Sequence, residues 1–140
     1  MSIERTLFII KPDAMRRRLA GQILAHVEEK GFKIAEARFA RLTREECQTF
    51  YAEHQGKPFF GELVESMTSG PVLLLVLERD NAVLTLREVV GATDPAQAAE
   101  GTVRKRFGES KQMNSVHASD SPASADREVK LFFGVAALSR

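Results

Sequence analysis

The chain has 140 residues, of which 28% are charged and 44% hydrophobic, and this balance is typical of one globular domain with its own core. A formal net charge of +1 argues against a basic tail or a nucleic-acid-coated surface. The single cysteine, Cys47, excludes an intramolecular disulfide and a cysteine-rich zinc site, and the apolar run Leu7–Ile10 is too short for a signal peptide or a membrane span. We therefore expect one soluble, cytoplasmic domain over residues 1–140, with no membrane partner.

The first half of the chain predicts alternating strands and helices. Pro12 ends the first apolar run, Gly31 stands where a helix commonly closes, and Thr43 with Glu46 has the spacing of a capping box. In chain order we predict a strand over Thr6–Ile10, a helix over Gly21–Lys30, a strand over Phe32–Leu42, a helix from Thr43 to about Glu53, and a short helix over Pro58–Met67.

The second half predicts a buried strand, a long irregular stretch and a final helix. Val72–Leu77 is uniformly apolar, as in a central strand, and a helix capped by Asp80 or Asn81 follows it and closes at Gly91. Residues 92–112 are predicted to be a long, largely irregular stretch, and such loops are usually functional or disordered. A short strand over Met113–Ser119 follows, and then a helix with Ser121 as N-cap and Pro122 in its first turn. This order predicts an α+β sandwich whose mostly antiparallel sheet is of the split βαβ type.

The segment Asn114–Ser121 is the most informative part of the sequence, because it sets His117 among small and hydroxyl residues. Imidazole has a pKa near 6.5, so its neutral form is a nucleophile that needs no separate base at neutral pH. On a strand, His117 and Ser119 project to the same face. Glu128 lies in the second turn of the next helix, where its carboxylate can hold one ring nitrogen and leave the other free to attack. On composition alone, a core or surface histidine explains His117 equally well.

Phosphoryl transfer needs cations where negative charge develops, and the chain offers Lys11, Arg87 and Arg104 near the ends of predicted elements. Thr93 adds a hydroxyl donor. Phe59 offers a ring for stacking on a base, with Tyr51 near it in sequence. The glycine patterns of P-loop and dinucleotide-binding sites are absent, as is the Gly-x-Ser-x-Gly pattern of esterases.

With these residues in view, the chain resembles the bacterial nucleoside diphosphate kinases. The resemblance covers nearly the whole chain in the family's order and spacing, and the histidine segment is its most specific part. It rests on Glu4–Leu7 running into Lys11–Ala14, on Phe50–Tyr51 with Lys57–Phe60, on Gly91–Pro95 with Gly101–Arg104, and on Asn114–Ser121 with Ala125–Phe133.

The resemblance implies a ferredoxin-like fold with a four-stranded antiparallel sheet covered by helices. It also implies ping-pong exchange of the γ-phosphate between nucleoside triphosphates and diphosphates, with Mg2+ carried by the nucleotide rather than by a protein metal site. His117 matches the phosphorylated histidine, Glu128 and Ser119 match the residues that orient it, and Phe59 matches a stacking ring that tolerates any base. The groups that match phosphate and ribose binding are Lys11, Tyr51, Arg87, Thr93, Arg104 and Asn114.

Several positions depart from the family pattern without removing a matched catalytic residue. They are Lys57 for arginine, Asp94 for asparagine, Glu100 for proline or alanine, Lys105 and Arg106 for a small-plus-acidic pair, and Ala118 for glycine. The family's hexamers pack partly through the loop that holds most of these changes. The resemblance implies a homo-oligomer, most simply a tetramer or hexamer built from dimers, although the sequence does not distinguish dimer, tetramer and hexamer. No obligatory nucleic-acid partner is expected.

Two other functions fit parts of the sequence. A phosphohistidine relay protein would need His117 but no stacking ring, and a nucleic-acid-binding module on the same fold would need aromatic pairs on the central strands. Other residues have simpler structural explanations. We expect His26 and His54 to be solvated helix residues, Arg16–Arg18 a solvated face, Lys105 and Arg106 an exposed loop or a guide for anionic nucleotides, Phe60 a core residue, and Cys47 a buried residue without a redox role.

Overall fold

A four-stranded antiparallel sheet forms the centre of the computed structural model, which describes residues 3–52, 56–110 and 113–138. The strands are β1 (Ile3–Ile10), β2 (Lys33–Ala40), β3 (Val72–Asp80) and β4 (Val116–Ala118), and their order in the sheet is β2-β3-β1-β4. The longest pairing joins β1 to β3, with Ile3 opposite Asp80 and Ile10 opposite Leu73. The short β4 pairs with the other edge of β1, where Ile9 lies opposite His117.

Helices connect the strands and cover the sheet. They are α1 (Pro12–Arg16), α2 (Ala20–Glu29), α3 (Arg44–Phe50), α4 (Phe60–Thr68), α5 (Ala82–Val90), α6 (Val103–Phe107) and α7 (Pro122–Phe133), with 3-10 turns at Pro95–Gln97 and Val135–Leu138. The predicted ferredoxin-like α+β sandwich is therefore confirmed. The predicted helix caps are also present, since the side chain of Thr43 accepts from the amide of Glu46 and that of Ser121 accepts from the amide of Ser124.

Both faces of the sheet are buried at the central strands β1 and β3, and the side chains of β1 alternate between two apolar layers. Phe8 and Ile10 pack in one layer with side chains of α2, α5 and α6. Leu7 and Ile9 pack in the other with side chains of α3, α4 and α7. The predicted buried strand Val72–Leu77 falls within β3, at the middle of the sheet. Cys47 and the half-buried Phe60 belong to the second layer, as expected.

Strand β1 ends before Pro12, as predicted, and Pro12 also begins helix α1, because proline fits the first helical position, where its missing N–H costs nothing. Two other expectations from the sequence were wrong. The described part of the predicted irregular stretch, residues 92–110, contains a 3-10 turn and α6. His26 is not solvated: it is 6% exposed and contacts Arg106. The side chains of Arg16, Arg17 and Arg18 are exposed, as expected, whereas His54 lies outside the described residues.

Two backbone features position the loops around β4. Ser115 has a left-handed backbone (φ 76°), and its amide donates to the buried carboxylate of Asp13 at 3.0 Å. Its carbonyl accepts from the amide of Lys11 at 2.9 Å, so the turn before β4 is attached to the β1–α1 junction. Gly91 ends α5 with φ 90°, and a Cβ there would lie 2.7 Å from the side chain of Thr102, the N-cap of α6. The end of α5 therefore lies directly against the start of α6.

Candidate active site

A histidine held by a buried carboxylate stands where β4 faces α7. The Nε2 atom of His117 lies 2.9 Å from Oε1 of Glu128, and the hydroxyl of Ser119 donates to the same oxygen at 2.8 Å. Glu128 reaches both groups because side chains two residues apart on an extended chain project to the same face, and α7 packs across that face. Ser119 is fully buried and Glu128 is 5% exposed, so the carboxylate has almost no contact with solvent.

The hydrogen bonds determine which nitrogen of His117 is free to react. An ionised carboxylate only accepts, so Nε2 carries the proton and the lone pair of the neutral ring is on Nδ1. Among the described residues, Nδ1 has no hydrogen-bond partner. The edge-on ring of Phe50, with its centroid 4.8 Å from that of His117, further fixes the imidazole plane.

Lys11 is anchored beside the histidine by an amide side chain. Its Nζ donates to Oδ1 of Asn114 at 2.9 Å, while Nδ2 of Asn114 donates to the carbonyl of Thr93 at 3.1 Å. Burial is the main cause that lowers the pKa of Lys11 to about 8; the charge of Asp13 opposes this shift, and the charge of Arg104 contributes to it. Lys11, Asn114 and Thr93 therefore connect the end of β1, the turn before β4 and the loop after α5.

Arg104 is a buried cation fixed by two backbone carbonyls. Its Nη1 donates to the carbonyl of Gly91 at 3.1 Å and its Nη2 to that of Val116 at 2.9 Å. Burial lowers its pKa to about 10, with a smaller contribution from the charge of Arg87. The guanidinium of Arg87 in turn lies 3.5 Å from the carbonyl of Ala118. The two arginines thus bracket β4 from α6 and α5.

His117, Glu128 and the three cations Lys11, Arg87 and Arg104 line one cleft of about 360 Å³. Phe59 lies at its rim and is 40% exposed, with Nζ of Lys57 5.9 Å from the centre of its ring. Tyr51 lines the interior, and burial raises the pKa of its hydroxyl. Of the residues expected at the site, the cleft brings together Lys11, Tyr51, Phe59, Arg87, Thr93, Arg104, Asn114, His117 and Glu128, and Ser119 lies directly behind them.

Sequence reasoning gave no site role to three polar residues of the cleft, Asp120, Ser124 and Arg127. Nη2 of Arg127 lies 3.6 Å from Oε2 of Glu128 and donates to the carbonyl of Phe50 at 3.4 Å. Helical spacing offered a signal for Ser124, because it lies one turn before Glu128 on the same helix. The position of Arg127 depends on where α3 packs, which the local sequence does not specify.

Comparison with known proteins identifies the family. The sequence model described as "Nucleoside diphosphate kinase" matches residues 4–138. The chain belongs to the nucleoside diphosphate kinase family. Members of this family are transferases, so the chain is an enzyme of nucleotide metabolism with nucleoside diphosphate kinase function.

Similar sequences and structures agree with this assignment. Nucleoside diphosphate kinases from Persephonella marina and Methylobacterium radiotolerans are 51% and 55% identical to the chain over 133 residues, covering 95% of this chain and 95% of each relative. The crystal structure of the Aquifex aeolicus nucleoside diphosphate kinase superposes with a TM-score of 0.94 at 42% identity, covering 99% of this chain and 100% of that one. The Halobacterium salinarum enzyme in complex with CDP has a TM-score of 0.94 at 40% identity, covering 99% of this chain and 93% of that one.

Neither a clustered metal site nor a membrane-spanning helix is found in the described part of this nucleoside diphosphate kinase. Within residues 3–52, 56–110 and 113–138, no group of three or more His, Cys, Asp or Glu side chains is placed to hold a metal ion. Over the same ranges, no helix has the length and apolar character needed to cross a membrane.

Proposed function

We propose that this enzyme moves the γ-phosphate of a nucleoside triphosphate to a nucleoside diphosphate by a ping-pong reaction through phosphohistidine at His117. The observation that carries the proposal is the contact between Nε2 of His117 and Glu128, which leaves the lone pair of Nδ1 for the cleft. In the first half-reaction Nδ1 attacks the γ-phosphorus, an N–P bond forms, and the bond to the bridging β,γ-oxygen breaks. In the second, a terminal oxygen of the acceptor diphosphate attacks the phosphorus and the N–P bond breaks, which regenerates neutral imidazole.

Glu128 and Ser119 act on the nucleophile and not on the nucleotide. The carboxylate fixes the tautomer of His117 and stabilises the positive charge that develops on the ring when Nδ1 bonds to phosphorus. Ser119 donates to the same carboxylate oxygen and so fixes its direction. Because Glu128 is buried, its charge is less screened than that of a surface carboxylate.

The cations of the cleft neutralise the triphosphate and the transferring group. Lys11 and Arg104 are already oriented by Asn114, Gly91 and Val116, so they need little rearrangement as charge develops. Arg87 adds a guanidinium from α5, and Thr93 and Tyr51 add hydroxyl groups for phosphate and ribose.

Phe59 at the rim supports broad base specificity. A half-exposed ring offers a face for stacking, and every nucleobase has a face to stack on it. No recognition of particular base edges is needed for such binding. The Halobacterium salinarum enzyme forms a complex with CDP, which supports binding of nucleoside diphosphates at the equivalent cleft here.

Mg2+ is assigned to the nucleotide substrate. The carboxylate of Asp120 lines the cleft, and a single carboxylate beside substrate phosphates suits an ion that keeps most of its waters. When bound, Mg2+ neutralises charge on the phosphate oxygens and holds their conformation. The protein's own cations and imidazole perform the remaining steps.

We also propose a homo-oligomer built from dimers, as a tetramer or hexamer, of single-domain subunits spanning 1–140 in the cytoplasm. The exposed edge strand β2, with Phe39 65% exposed, supports association between subunits. Sedimentation equilibrium tests the assembly. A monomer at micromolar concentration would contradict it.

The test of the reaction is labelling with γ-labelled ATP and Mg2+, followed by acid and alkali treatment and a GDP chase. We expect label that survives alkali, is lost in acid and moves to GDP. His117→Ala should form none, whereas His26→Gln, which changes a histidine outside the cleft, should label normally at pH 8. Label that forms but does not move to any nucleotide would favour a phosphohistidine relay. No label in the unaltered enzyme would refute the proposal.

A further inference from the structure

A histidine and an arginine meet on the side of α6 that faces away from the cleft. Nη1 of Arg106 lies 2.7 Å from Nδ1 of His26, which is buried on α2. The guanidinium of Arg106 also lies over the ring of Phe107, with its carbon 4.6 Å from the ring centre. These contacts join α6 to α2, at positions far apart in sequence.

The contact requires a neutral imidazole. Arginine has only donors, so Nδ1 of His26 must accept, and the ring proton must be on Nε2. Nε2 is buried and has no hydrogen-bond partner among the described residues. A protonated ring would have no acceptor for Arg106 and would place two positive charges in contact. The pair is therefore compatible with only one protonation state.

The position of α6 matters for the reaction because this helix carries Arg104. A five-residue helix is too short to be stable by itself, so tertiary contacts determine where it lies. On the other side of the pair, Arg17 donates to the carbonyl of Phe107 and lies 3.5 Å from Glu109. Arg106 is two residues from Arg104, and displacement of α6 would move Arg104 away from its carbonyl partners on Gly91 and Val116.

We propose that His26 and Arg106 are positioning residues for phosphoryl transfer, which hold α6, and through it Arg104, in the active arrangement only while His26 is neutral. The proposal rests on the function proposed above. It predicts that acid pH loosens α6 before the fold as a whole is lost. It also gives a role to Arg106, one of the positions at which the chain departs from the family pattern.

The charges around His26 define the direction of the pH effect. Burial lowers the pKa of His26 below 6.5, Arg106 and Lys30 lower it further, and Glu29 opposes them. The unfolded chain therefore binds this proton more readily than the folded one, so the free energy of unfolding decreases as pH falls below about 6.5. The contact is complete at pH 7 to 8 and is lost as the pH falls through the lowered folded pKa.

The kinetic test compares His26→Gln with the unaltered enzyme between pH 5 and 8. A glutamine oxygen can accept from Arg106 at every pH, and other titrations of the site cancel in the ratio of kcat values. We expect a ratio near unity at pH 8 that rises as pH falls, by at most about tenfold per pH unit for a one-proton equilibrium. Lys105→Gln is the matched control, since it removes a neighbouring exposed charge from α6, and its ratio should stay flat. A flat ratio for His26→Gln would overturn the proposal.

A second measurement keeps the proposal testable if His26→Gln does not fold, and it does not depend on activity. An NMR titration of the imidazole resonances follows His26 in the unaltered enzyme and in Arg106→Gln. We expect the pKa of His26 to rise in Arg106→Gln but not in Lys105→Gln. An unchanged value in both variants would refute the contact. If the titration behaves as expected while the unaltered enzyme transfers no phosphate, the proposed function fails and the His26–Arg106 contact stands.

Discussion

Replacing Glu128 by alanine should slow phosphorylation of His117 without weakening nucleotide binding. The carboxylate accepts from Nε2 of His117 at 2.9 Å and from the hydroxyl of Ser119 at 2.8 Å, and neither bond touches the nucleotide. A hydrogen bond to a buried charged group contributes about 1.5–3 kcal/mol, which corresponds to a loss of roughly 10- to 150-fold in the rate of the chemical step.

Quench-flow measurement of a single turnover with labelled ATP gives that rate directly, and calorimetry with ADP gives the affinity of the unphosphorylated enzyme. Glu128→Gln is the matched control, because its amide oxygen can still accept from Nε2 and hold the tautomer while the charge is lost. We expect its rate to lie between those of the alanine variant and the unaltered enzyme. The reasoning is refuted if Glu128→Ala phosphorylates at the normal rate, or if its ADP affinity falls as much as its rate.

Three further predictions concern the groups that we propose contact the nucleotide. Arg104→Ala should lose about 2–4 kcal/mol of transition-state stabilisation, or roughly 30- to 1000-fold in kcat/KM. Arg104→Lys should recover only part of this loss, because lysine cannot bridge the carbonyls of Gly91 and Val116. Equal activity of the two variants would contradict the prediction. The pKa of Lys11 near 8 predicts that kcat/KM falls as pH rises through about 8, since the cationic form of the lysine is lost. Lys11→Arg should shift this alkaline decrease in kcat/KM to higher pH. If the decrease stays at the same pH, it belongs to another group. Phe59→Ala should weaken the binding of ATP and CTP equally, by about 1–3 kcal/mol, whereas Phe59→Tyr should bind both nucleotides with nearly normal affinity. A loss of affinity for only one of the two nucleotides would exclude simple stacking.

The sequence predicts the fold well where side-chain patterns are long. The apolar runs at β1 and β3 and the capping residues Thr43 and Ser121 are local signals, so the elements they define appear close to their predicted places. Helices α1 and α6 escaped detection because five residues are too few to display a helical period. Threonine is a common N-cap residue, so Thr102 offered a signal for the start of α6, but Gly101 and Gly108 on either side of this segment favoured a loop.

The sequence predicted which residues form the site better than it predicted the contacts between them. His117, Ser119 and Glu128 could be placed together from strand alternation and helix position alone. The contacts of Lys11 with Asn114 and of Asn114 with Thr93 could not, because they join segments whose approach depends on the packed sheet. His26 was misread as solvated although it lies three residues after Ile23, a helical spacing that places both on the buried face of α2.

The junction at Gly91 restricts which sequences this enzyme can adopt during evolution. The residue turns the chain with a positive φ, leaves room for Thr102 where any Cβ would collide, and presents its carbonyl to Arg104. A mutation there damages the end of α5, the start of α6 and the anchoring of Arg104 together, so no single compensating change elsewhere repairs it. By contrast, a Cβ at Gly61 would meet nothing within 4 Å. In a library randomised at both positions and selected for activity, we expect glycine almost alone at 91 and a broad mixture at 61.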